Sequence, residues 1–297
     1  MKPRILIIGF GNIGTRVAKL LLPTYRVYAL IRKGRDSKEA EDARQLGVLP
    51  VFGDLDNRLS LARLASLAPT IFHFAPPPVT GKIDSRTKNL IAALGGKDIK
   101  KLIYISTTGV YGDCGGAWID ETRALDPQSS RAIRRVDAEL RVRAWAKANG
   151  VNASILRAPG IYSATALPVA RLQAGTPAIC DAEDSYSNHI HADDLARAAV
   201  AAMLRAKPQR AYNICDDSTL KMGEYFDMVA KALNLPKPPR LPRAQVQAQV
   251  SPMLWSFMQE SRRINNQRMR EELKFGLKWS DVAGFLSVPD AAATHLN

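Results

Sequence analysis

The sequence has no long apolar run and only three cysteines in 297 residues. No stretch approaches the roughly 20 consecutive apolar residues that a membrane-spanning helix needs. Cys114, Cys180 and Cys215 are far apart and show none of the paired spacings of a metal site. The segment Met1–Arg4 leads directly into a predicted strand, which leaves no space for the apolar part of a signal peptide. We therefore expect a cytoplasmic, reduced protein without a metal site or a membrane segment.

Acidic residues are also scarce, because 28 Asp and Glu face 42 Lys and Arg, a formal net charge of +14. Such an excess could attract nucleic acid, an acidic membrane or small anions. The basic residues are scattered, however, and their densest cluster, 131–143, is interleaved with apolar residues on one predicted helix. We therefore favour a basic surface with an anionic cofactor and a small-molecule substrate over a nucleic-acid partner, and we leave a homodimer open.

Three glycines follow the first apolar run of the chain. Residues 4–8 are typical of a buried strand, and Gly9, Gly11 and Gly14 come directly after them, where a helical pattern starts. A strand, a Gly-x-Gly-x-x-Gly turn and a helix form the order of a dinucleotide-binding fingerprint. In that fingerprint the first glycine permits a tight turn, the second lets the backbone approach a pyrophosphate, and the third lets the helix pack closely. We predict a dinucleotide site here, with a plain turn as the alternative.

A basic residue follows the second predicted strand. In a dinucleotide-binding fold this position faces the adenosine ribose, where an acid binds a free 2′-hydroxyl and an arginine accommodates a 2′-phosphate. Arg32 lies 18 positions after the last glycine of the fingerprint, and the nearest acid, Asp36, comes after the turn. The sequence therefore favours NADP over NAD, with Lys33 or Arg35 as additional contacts. A solvated basic loop is the alternative.

Short apolar strands alternate with amphipathic helices along most of the chain. This alternation is typical of a doubly wound α/β fold with a mostly parallel sheet. We predict that residues 1–160, completed by 189–217, form the dinucleotide-binding domain, a Rossmann fold. Residues 161–188 and 218–297 are predicted to form a smaller, mostly helical substrate-binding lobe.

Three histidines could be read as catalytic or metal-binding residues. His73 lies inside an apolar strand, so a core role is favoured over catalysis. His189 and His191 are followed by two acids, but their spacing places both rings on one face of a strand beside a helix cap. We favour these structural roles over metal binding.

A series of later motifs resembles the extended short-chain dehydrogenases/reductases, the superfamily of NAD(P)-dependent nucleotide-sugar epimerases and dehydratases. Residues 105–112, Ile-Ser-Thr-Thr-Gly-Val-Tyr-Gly, are similar to the active-site strand of that family. Residues 156–162 are similar to its next strand motif, 191–195 to the following helix entry, and 261–276 to its C-terminal end. The resemblance covers nearly the whole chain and implies a Rossmann fold, bound NAD(P) and oxidoreductase or epimerase/dehydratase chemistry.

The proton shuttle of that family is absent from this sequence. The resemblance implies a tyrosine and a lysine four residues apart on the helix after the active-site strand, but Arg131 and Arg135 occupy these two positions. A guanidinium stays protonated at accessible pH, so Arg131 cannot exchange a proton as a phenol does. Loss of the pair, together with the Gly-x-Gly-x-x-Gly spacing, resembles an atypical subgroup that keeps the fold and the cofactor site.

Nearby hydroxyl groups are the candidates for the remaining chemistry. By resemblance, Thr107 is the substrate-polarising residue. Tyr111 is the substitute proton donor to test, with Asp113 and Glu121 behind it, and a packing role is the alternative for Tyr111.

The predicted cofactor contacts combine the glycine fingerprint, the ends of the following strands and the position of the family's lysine. They are Gly9, Phe10, Gly11, Asn12, Ile13, Gly14, Arg32, Asp54, Leu55, Ala75 and Arg135. The family geometry further implies that several arginines converge on the substrate cleft, namely Arg131, Arg134, Arg135 and Arg157. Arginine side chains bind carboxylates and phosphates bidentately, so we predict an anionic substrate, with arginines that face solvent as the alternative.

Two functions remain open at this point. The first is an NADP-dependent epimerase/dehydratase-like or oxidoreductase-like enzyme for a small anionic or nucleotide-sugar-like substrate, with Arg131 and Arg135 in place of the usual shuttle. The second is a non-catalytic NADP(H)-binding sensor that acts through a partner. Hydride transfer to a substrate would distinguish them.

Overall fold

The computed structural model describes residues 1–96 and 98–288. Within these residues the strands are β1 (Arg4–Ile8), β2 (Arg26–Ile31), β3 (Leu49–Phe52), β4 (Thr70–His73), β5 (Lys101–Thr107), β6 (Trp118–Ile119), β7 (Asn152–Ala158), β8 (Gly160–Tyr162), β9 (Ala178–Ile179), β10 (His189–His191), β11 (Arg210–Asn213), β12 (Arg240–Leu241) and β13 (Arg263–Ile264). The α-helices are α1 (Asn12–Leu21), α2 (Lys38–Gln45), α3 (Ser85–Leu94), α4 (Ser130–Asn149), α5 (Val169–Gln173), α6 (Ala192–Arg205), α7 (Met222–Ala232), α8 (Arg243–Gln249), α9 (Pro252–Met258), α10 (Gln267–Glu272) and α11 (Val282–Leu286).

One parallel sheet of seven strands, in the order β3-β2-β1-β4-β5-β7-β11, forms the centre of the molecule. Parallel neighbours need crossover connections, most of which are helical here. The chain winds outward from β1 in both directions, so the strand order reverses between β1 and β4. A crevice at the carboxyl ends of the strands is expected at such a switch point. The predicted doubly wound α/β fold is confirmed.

Strand β1 is buried on both faces of the sheet. Ile5 and Ile7 pack in one apolar layer with residues of α1 and α6, whereas Leu6 and Ile8 pack in the other with residues of α3 and α4. Successive side chains of a strand point to opposite faces, so a strand covered on both sides reads as one continuous apolar run. This explains why the sequence of β1 predicts a central strand.

Helix α4 carries the two arginines that replace the family's tyrosine and lysine. It begins after Ser129, whose hydroxyl accepts a hydrogen bond from the backbone N–H of Ala132. It ends at Gly150, which has the left-handed conformation (φ +64°) that closes many helices. Arg131 therefore lies in the first turn, above the carboxyl end of β5, and Arg135 follows one turn later.

Two segments do not form one continuous α-helix. Residues Arg58–Leu64 form a 3-10 helix. The helical region near the C-terminus divides into α8 and α9, because Val250 is extended and Pro252 starts a new helix. Within the described residues, no helix is both long and apolar enough to cross a membrane.

The buried carboxylate of Asp194 connects the C-terminal segment to α6. It accepts hydrogen bonds from the backbone N–H groups of Lys278 (3.0 Å) and Trp279 (2.8 Å). Strand β13 also pairs with β6, which brings residues C-terminal to α9 beside the loop that follows β5. The predicted division into a dinucleotide domain and a substrate lobe stays a prediction, and residues 289–297 of that lobe lie outside the described residues.

Candidate functional site

The glycine turn between β1 and α1 leaves the backbone open toward a ligand. Gly9 has a φ of +93°, and a Cβ atom on it would lie 2.5 Å from the backbone nitrogen of Ala75. A Cβ atom on Gly14 would collide with the carbonyl oxygen of Gly9. A Cβ atom on Gly11, by contrast, would meet no atom within 4 Å, so the space beside it is free. The turn therefore fits a pyrophosphate at the start of α1.

A cavity of about 290 Å³ opens over this turn. The predicted cofactor residues that line it are Gly9, Phe10, Gly11, Arg32, Asp54, Leu55 and Ala75. Asn12, Ile13 and Gly14 form the start of α1 beside it, and Ile13 packs against the core. The structure thus brings residues from the ends of β1 to β4 together around one cavity, as a dinucleotide site at a switch point requires.

Of the three basic residues expected near a 2′-phosphate, Arg32 alone lines this cavity. Arg32 is exposed and forms no ion pair with any of the described residues. The Nζ atom of Lys33 lies 3.3 Å from Oε1 of Glu39, and the Arg35 guanidinium lies 5.9 Å from the ring centre of Phe52. Glu39, in the first turn of α2, lines the cavity as well, although no sequence motif marks it.

A second ion pair borders the same cavity. Arg86 donates from Nη2 and Nε to the two carboxylate oxygens of Asp56, at 2.7 and 2.9 Å. This hydrogen bonding lowers the pKa of Asp56 below its usual range. The two residues are 30 positions apart in the sequence, so only the fold brings them together.

A smaller cavity of about 150 Å³ lies at the carboxyl end of β5, beside the start of α4. The polar and charged residues that line it are Thr107, Thr108, Arg131, Tyr186, Ser187, Asn188, His189, Ser256, Glu260 and Arg262. Thr107 is the last residue of β5, and its hydroxyl accepts a hydrogen bond from the backbone N–H of Gly109 at 3.2 Å. We call this cavity the cleft.

Arg131 faces the cleft rather than bulk solvent. Its guanidinium carbon lies 3.8 Å from the ring centre of Phe257, a stacked cation–π geometry. Burial lowers the pKa of Arg131, and the nearby carboxylate of Glu260 partly offsets this. Within the described residues it has no acidic side chain within ion-pair distance. An arginine placed in this way is a candidate to bind an anion.

Arg135, at the lysine position, lies against the end of β5. Its Nη1 atom donates to the hydroxyl of Tyr104 at 2.9 Å and to the carbonyl of Ile105 at 3.0 Å. It lines neither of the two cavities. Its remaining N–H groups are available for hydrogen bonds, whereas a guanidinium cannot take part in proton exchange.

Tyr111 is a core residue, which removes it as a proton donor to the cleft. Its side chain is 1% exposed, its hydroxyl donates to Oδ1 of Asn213 at 2.7 Å, and it accepts from Nη1 of Arg157 at 2.9 Å. Burial raises its pKa to about 12. Asp113 and Glu121, expected behind it, instead bind backbone N–H groups, those of Ser261 (2.7 Å) and Asn213 (2.8 Å) respectively.

The predicted convergence of arginines on the cleft is also wrong for two of the four. Arg157 donates to the buried carboxylate of Glu139, and Arg134 donates to the carbonyl of Gly81 at 2.6 Å. Neither Arg134 nor Arg157 lines the cleft, because both side chains are buried and their guanidinium groups are directed to these partners. The motif position of an arginine predicts which element carries it, but it does not predict which buried group its guanidinium will bind.

Glu260 and Arg262 form the far wall of the cleft. Nη1 of Arg262 donates to Oε2 of Glu260 at 2.7 Å and to the carbonyl of Gly112 at 2.6 Å. Glu260 is 6% exposed, and its Oε1 atom has no hydrogen-bond partner among the described residues. No sequence motif marks Glu260, because it reaches the cleft only through the pairing of β13 with β6.

The histidines occupy structural positions. Nε2 of His73 lies 2.8 Å from the hydroxyl of Thr87, and burial lowers the pKa of His73 to about 3. Nδ1 of His191 accepts the backbone N–H of Asp193 as the cap of α6. His189 stacks on Tyr225 with ring centres 4.2 Å apart. Among the described residues, no group of three or more His, Cys, Asp or Glu side chains has the geometry of a metal site.

Comparisons with known proteins agree with this geometry. A model of the NAD dependent epimerase/dehydratase family matches residues 5–215. A functionally unknown conserved protein from Silicibacter pomeroyi has a similar structure, with 26% identity, 100% of both chains covered and a TM-score of 0.80. The search of the curated proteins finds no match.

Two enzymes of known activity share the fold at lower identity. UDP-glucuronic acid 4-epimerase from Bacillus cereus, in complex with NAD, is 19% identical, with 98% of this chain and 99% of that chain covered and a TM-score of 0.76. UDP-glucose 4-epimerase from Thermotoga maritima, with UDP-glucose, is 20% identical, with 95% and 96% covered and a TM-score of 0.75.

Proposed function

The chain belongs to the NAD dependent epimerase/dehydratase family, and from that premise we propose that it is an NADP(H)-dependent enzyme for a small anionic substrate. The observation that carries the proposal is the position of Arg131. It shares a cavity with Thr107 at the carboxyl end of β5 and has no acidic partner within ion-pair distance among the described residues. An enzyme of this family needs its substrate at that end of the sheet, beside the cofactor cavity.

Arg32 supports NADP as the cofactor. It lines the cofactor cavity without an acidic partner among the described residues, whereas Lys33 and Arg35 make other contacts. The 2′-phosphate of NADP would accept a charge-assisted hydrogen bond from Arg32, and NAD has no phosphate at this position. Arg32→Ala is therefore expected to cost about 1.5–3 kcal/mol of NADPH binding and little NADH binding. When bound, the cofactor supplies or accepts a hydride.

The substrate contacts follow from the same cleft. Arg131 is held in place by its stacking on Phe257, so its guanidinium loses little freedom when an anion binds. Thr107 offers a hydroxyl at the end of β5 that can donate to a substrate oxygen. A carboxylate or phosphate on Arg131 and a carbonyl or hydroxyl on Thr107 together describe a small anionic hydroxy or oxo compound.

Proton exchange is assigned to Glu260 in this proposal. The imidazole of His189, also in the cleft, has a pKa that burial lowers to about 4, so it is neutral and weakly basic. A guanidinium does not exchange a proton at accessible pH, which excludes the arginines of the cleft. Glu260 is a carboxylate oriented by Arg262, with one oxygen free of protein partners among the described residues. It can take a proton from a substrate hydroxyl or return it to a carbonyl.

Hydride transfer tests the proposal directly. The protein is mixed with NADPH and with matched carbonyl compounds, each as a carboxylate or phosphate and as its uncharged ester or amide, and the fluorescence of NADPH is followed. We expect turnover of at least one anionic compound, a far lower rate for its uncharged partner, and a loss of about tenfold or more in Arg131→Ala. Equal rates for charged and uncharged partners would contradict an anionic substrate.

A non-catalytic NADP(H) sensor is the second candidate. It is supported by the replacement of the tyrosine by Arg131 and by the closed position of Tyr111 in the core. A protein that binds NADPH tightly but oxidises it with none of the compounds would favour this function. In that case the cleft would hold a regulatory anion rather than a substrate.

A further inference from the structure

The charged side chains that line the cofactor cavity balance one another. Arg32 and Arg86 are the cations, and Glu39 and Asp54 are the acids. Arg86 already donates hydrogen bonds to both carboxylate oxygens of Asp56. Arg32 is therefore the only unpaired cation of this lining among the described residues, and it faces two acids. A 2′-phosphate, which carries up to two negative charges, gains little from a lining with this balance.

Lys33 changes the balance although it does not line the cavity. Its ammonium lies 3.3 Å from Oε1 of Glu39, and both side chains are about half exposed. Such a pair contributes little to the stability of the fold, because solvent screens it. It nevertheless places a positive charge beside Glu39, an acid in the first turn of α2 that lines the cavity together with Arg32.

We propose that Lys33 is a specificity-determining residue for NADP over NAD and that it acts by neutralising Glu39. Without Lys33, the carboxylate of Glu39 repels a 2′-phosphate and is free to accept a hydrogen bond from the 2′-hydroxyl of NAD. With Lys33, the charge of Glu39 is offset, and Asp54 is the one acid of the described lining that still opposes Arg32, so this group of charges is neutral rather than negative. The inference rests on the proposed use of NADP, and it adds a second residue, outside the cavity, that sets the preference.

Calorimetric titration of NADPH and NADH tests the inference in four proteins: wild type, Lys33→Ala, Glu39→Gln and the double variant. The quantity compared is the ratio of the two affinities, NADPH over NADH. We expect this ratio to fall about 1.5- to fivefold in Lys33→Ala, the range that corresponds to an exposed ion pair. It should return at least to the wild-type value in the double variant, because Glu39 is then no longer charged. Higher salt should reduce the difference.

Lys38→Ala is the matched control, since Lys38 is a neighbouring exposed lysine at the start of α2 that does not line the cavity. Its ratio should equal that of wild type. An unchanged ratio in Lys33→Ala would overturn the inference. So would a ratio that falls in Lys33→Ala and stays low in the double variant, because Lys33 would then contact the phosphate directly. Equal affinities of wild type for NADPH and NADH would instead contradict the proposed NADP preference. The change in the ratio between wild type and Lys33→Ala would still test the role of Lys33.

Discussion

Arg157 and Glu139 form a bidentate ion pair inside the core, with Nη2–Oε2 and Nε–Oε1 distances of 2.7 and 3.2 Å. A further N–H of Arg157 donates to the hydroxyl of Tyr111. The pair therefore holds two side chains, Arg157 and Tyr111, that the family position would place at the cleft. Burial alone would lower the pKa of Arg157, but the hydrogen bonds and the charge of Glu139 outweigh burial and raise this pKa above its usual value.

Removal of one partner of this pair should destabilise the fold strongly. Arg157→Met leaves the carboxylate of Glu139 buried without its cation, so we expect a loss of about 3–5 kcal/mol in the free energy of unfolding. Arg157→Met combined with Glu139→Leu should lose less, since no buried charge remains. Urea denaturation of both variants measures the difference. A double variant that is less stable than the single one would contradict this role.

Two glycines of the fingerprint should respond in opposite ways. Gly14→Ala introduces a Cβ atom that collides with the carbonyl of Gly9, so the fold should be destabilised by about 2 kcal/mol or more. Gly11→Ala places its Cβ atom in free space, so thermal stability should stay near that of wild type. NADPH binding should nevertheless weaken in Gly11→Ala, because the methyl group occupies the approach of the pyrophosphate. Unchanged NADPH binding in Gly11→Ala would place the pyrophosphate elsewhere.

Stability should fall on acidification below about pH 6.5, the pKa of an unfolded histidine. Burial lowers the pKa of His73 to about 3 and those of His189 and His191 to about 4. Between these values and about 6.5 the unfolded chain binds more protons, so acid favours unfolding. Asp216, with a pKa raised to about 7 by burial, has the opposite sign and offsets one of the three.

The net effect is about two protons, which denaturant titrations at about pH 7 and about pH 5 would measure. His189→Phe should reduce the dependence by about one proton, because a phenylalanine can keep the stacking on Tyr225. Stability that rises as the pH falls through this window would contradict the buried neutral histidines.

Sequence patterns predicted the parts of the molecule that follow from local chemistry. The continuous apolar run of β1 and the glycines after it specified a central strand and a tight turn, and both are present. The place of Arg32 at the cavity could be predicted because one helix and one strand fix its distance from the glycines. The partners of Arg157 and Arg134 could not be predicted in this way, since Gly81 and Glu139 meet them only in the folded core.

Glu260 is a second residue whose place in the fold could not be predicted from the sequence. It reaches the cleft from a segment about 130 residues after Arg131, through the pairing of β13 with β6. Neither its spacing nor its neighbours in the sequence differ from those of a surface acid. Burial, an ion pair to Arg262 and an oxygen without a hydrogen-bond partner among the described residues make Glu260 a candidate site residue, and all three are properties of the fold.

Glu260→Gln should separate catalysis from binding. The amide keeps the shape of the side chain but cannot take a proton, so turnover should fall by about 10²-fold or more. Anion binding should stay equal or become tighter, because a negative charge near Arg131 is removed. Steady-state rates and calorimetry on the same variant measure the two effects. Weakened anion binding with unchanged turnover would show that Glu260 binds the substrate rather than exchanging its proton.

The central claim is that Arg131 holds an anion in the cleft, and calorimetric titration of inorganic phosphate tests it most directly. The protein is first saturated with NADP, so that phosphate cannot occupy the cofactor cavity. Arg123→Ala is the control, since Arg123 is an exposed arginine that does not line the cleft. We predict that wild type and Arg123→Ala bind phosphate equally and that Arg131→Ala binds it about tenfold or more weakly. Equal binding by Arg131→Ala and wild type, or no binding by wild type, would contradict the claim.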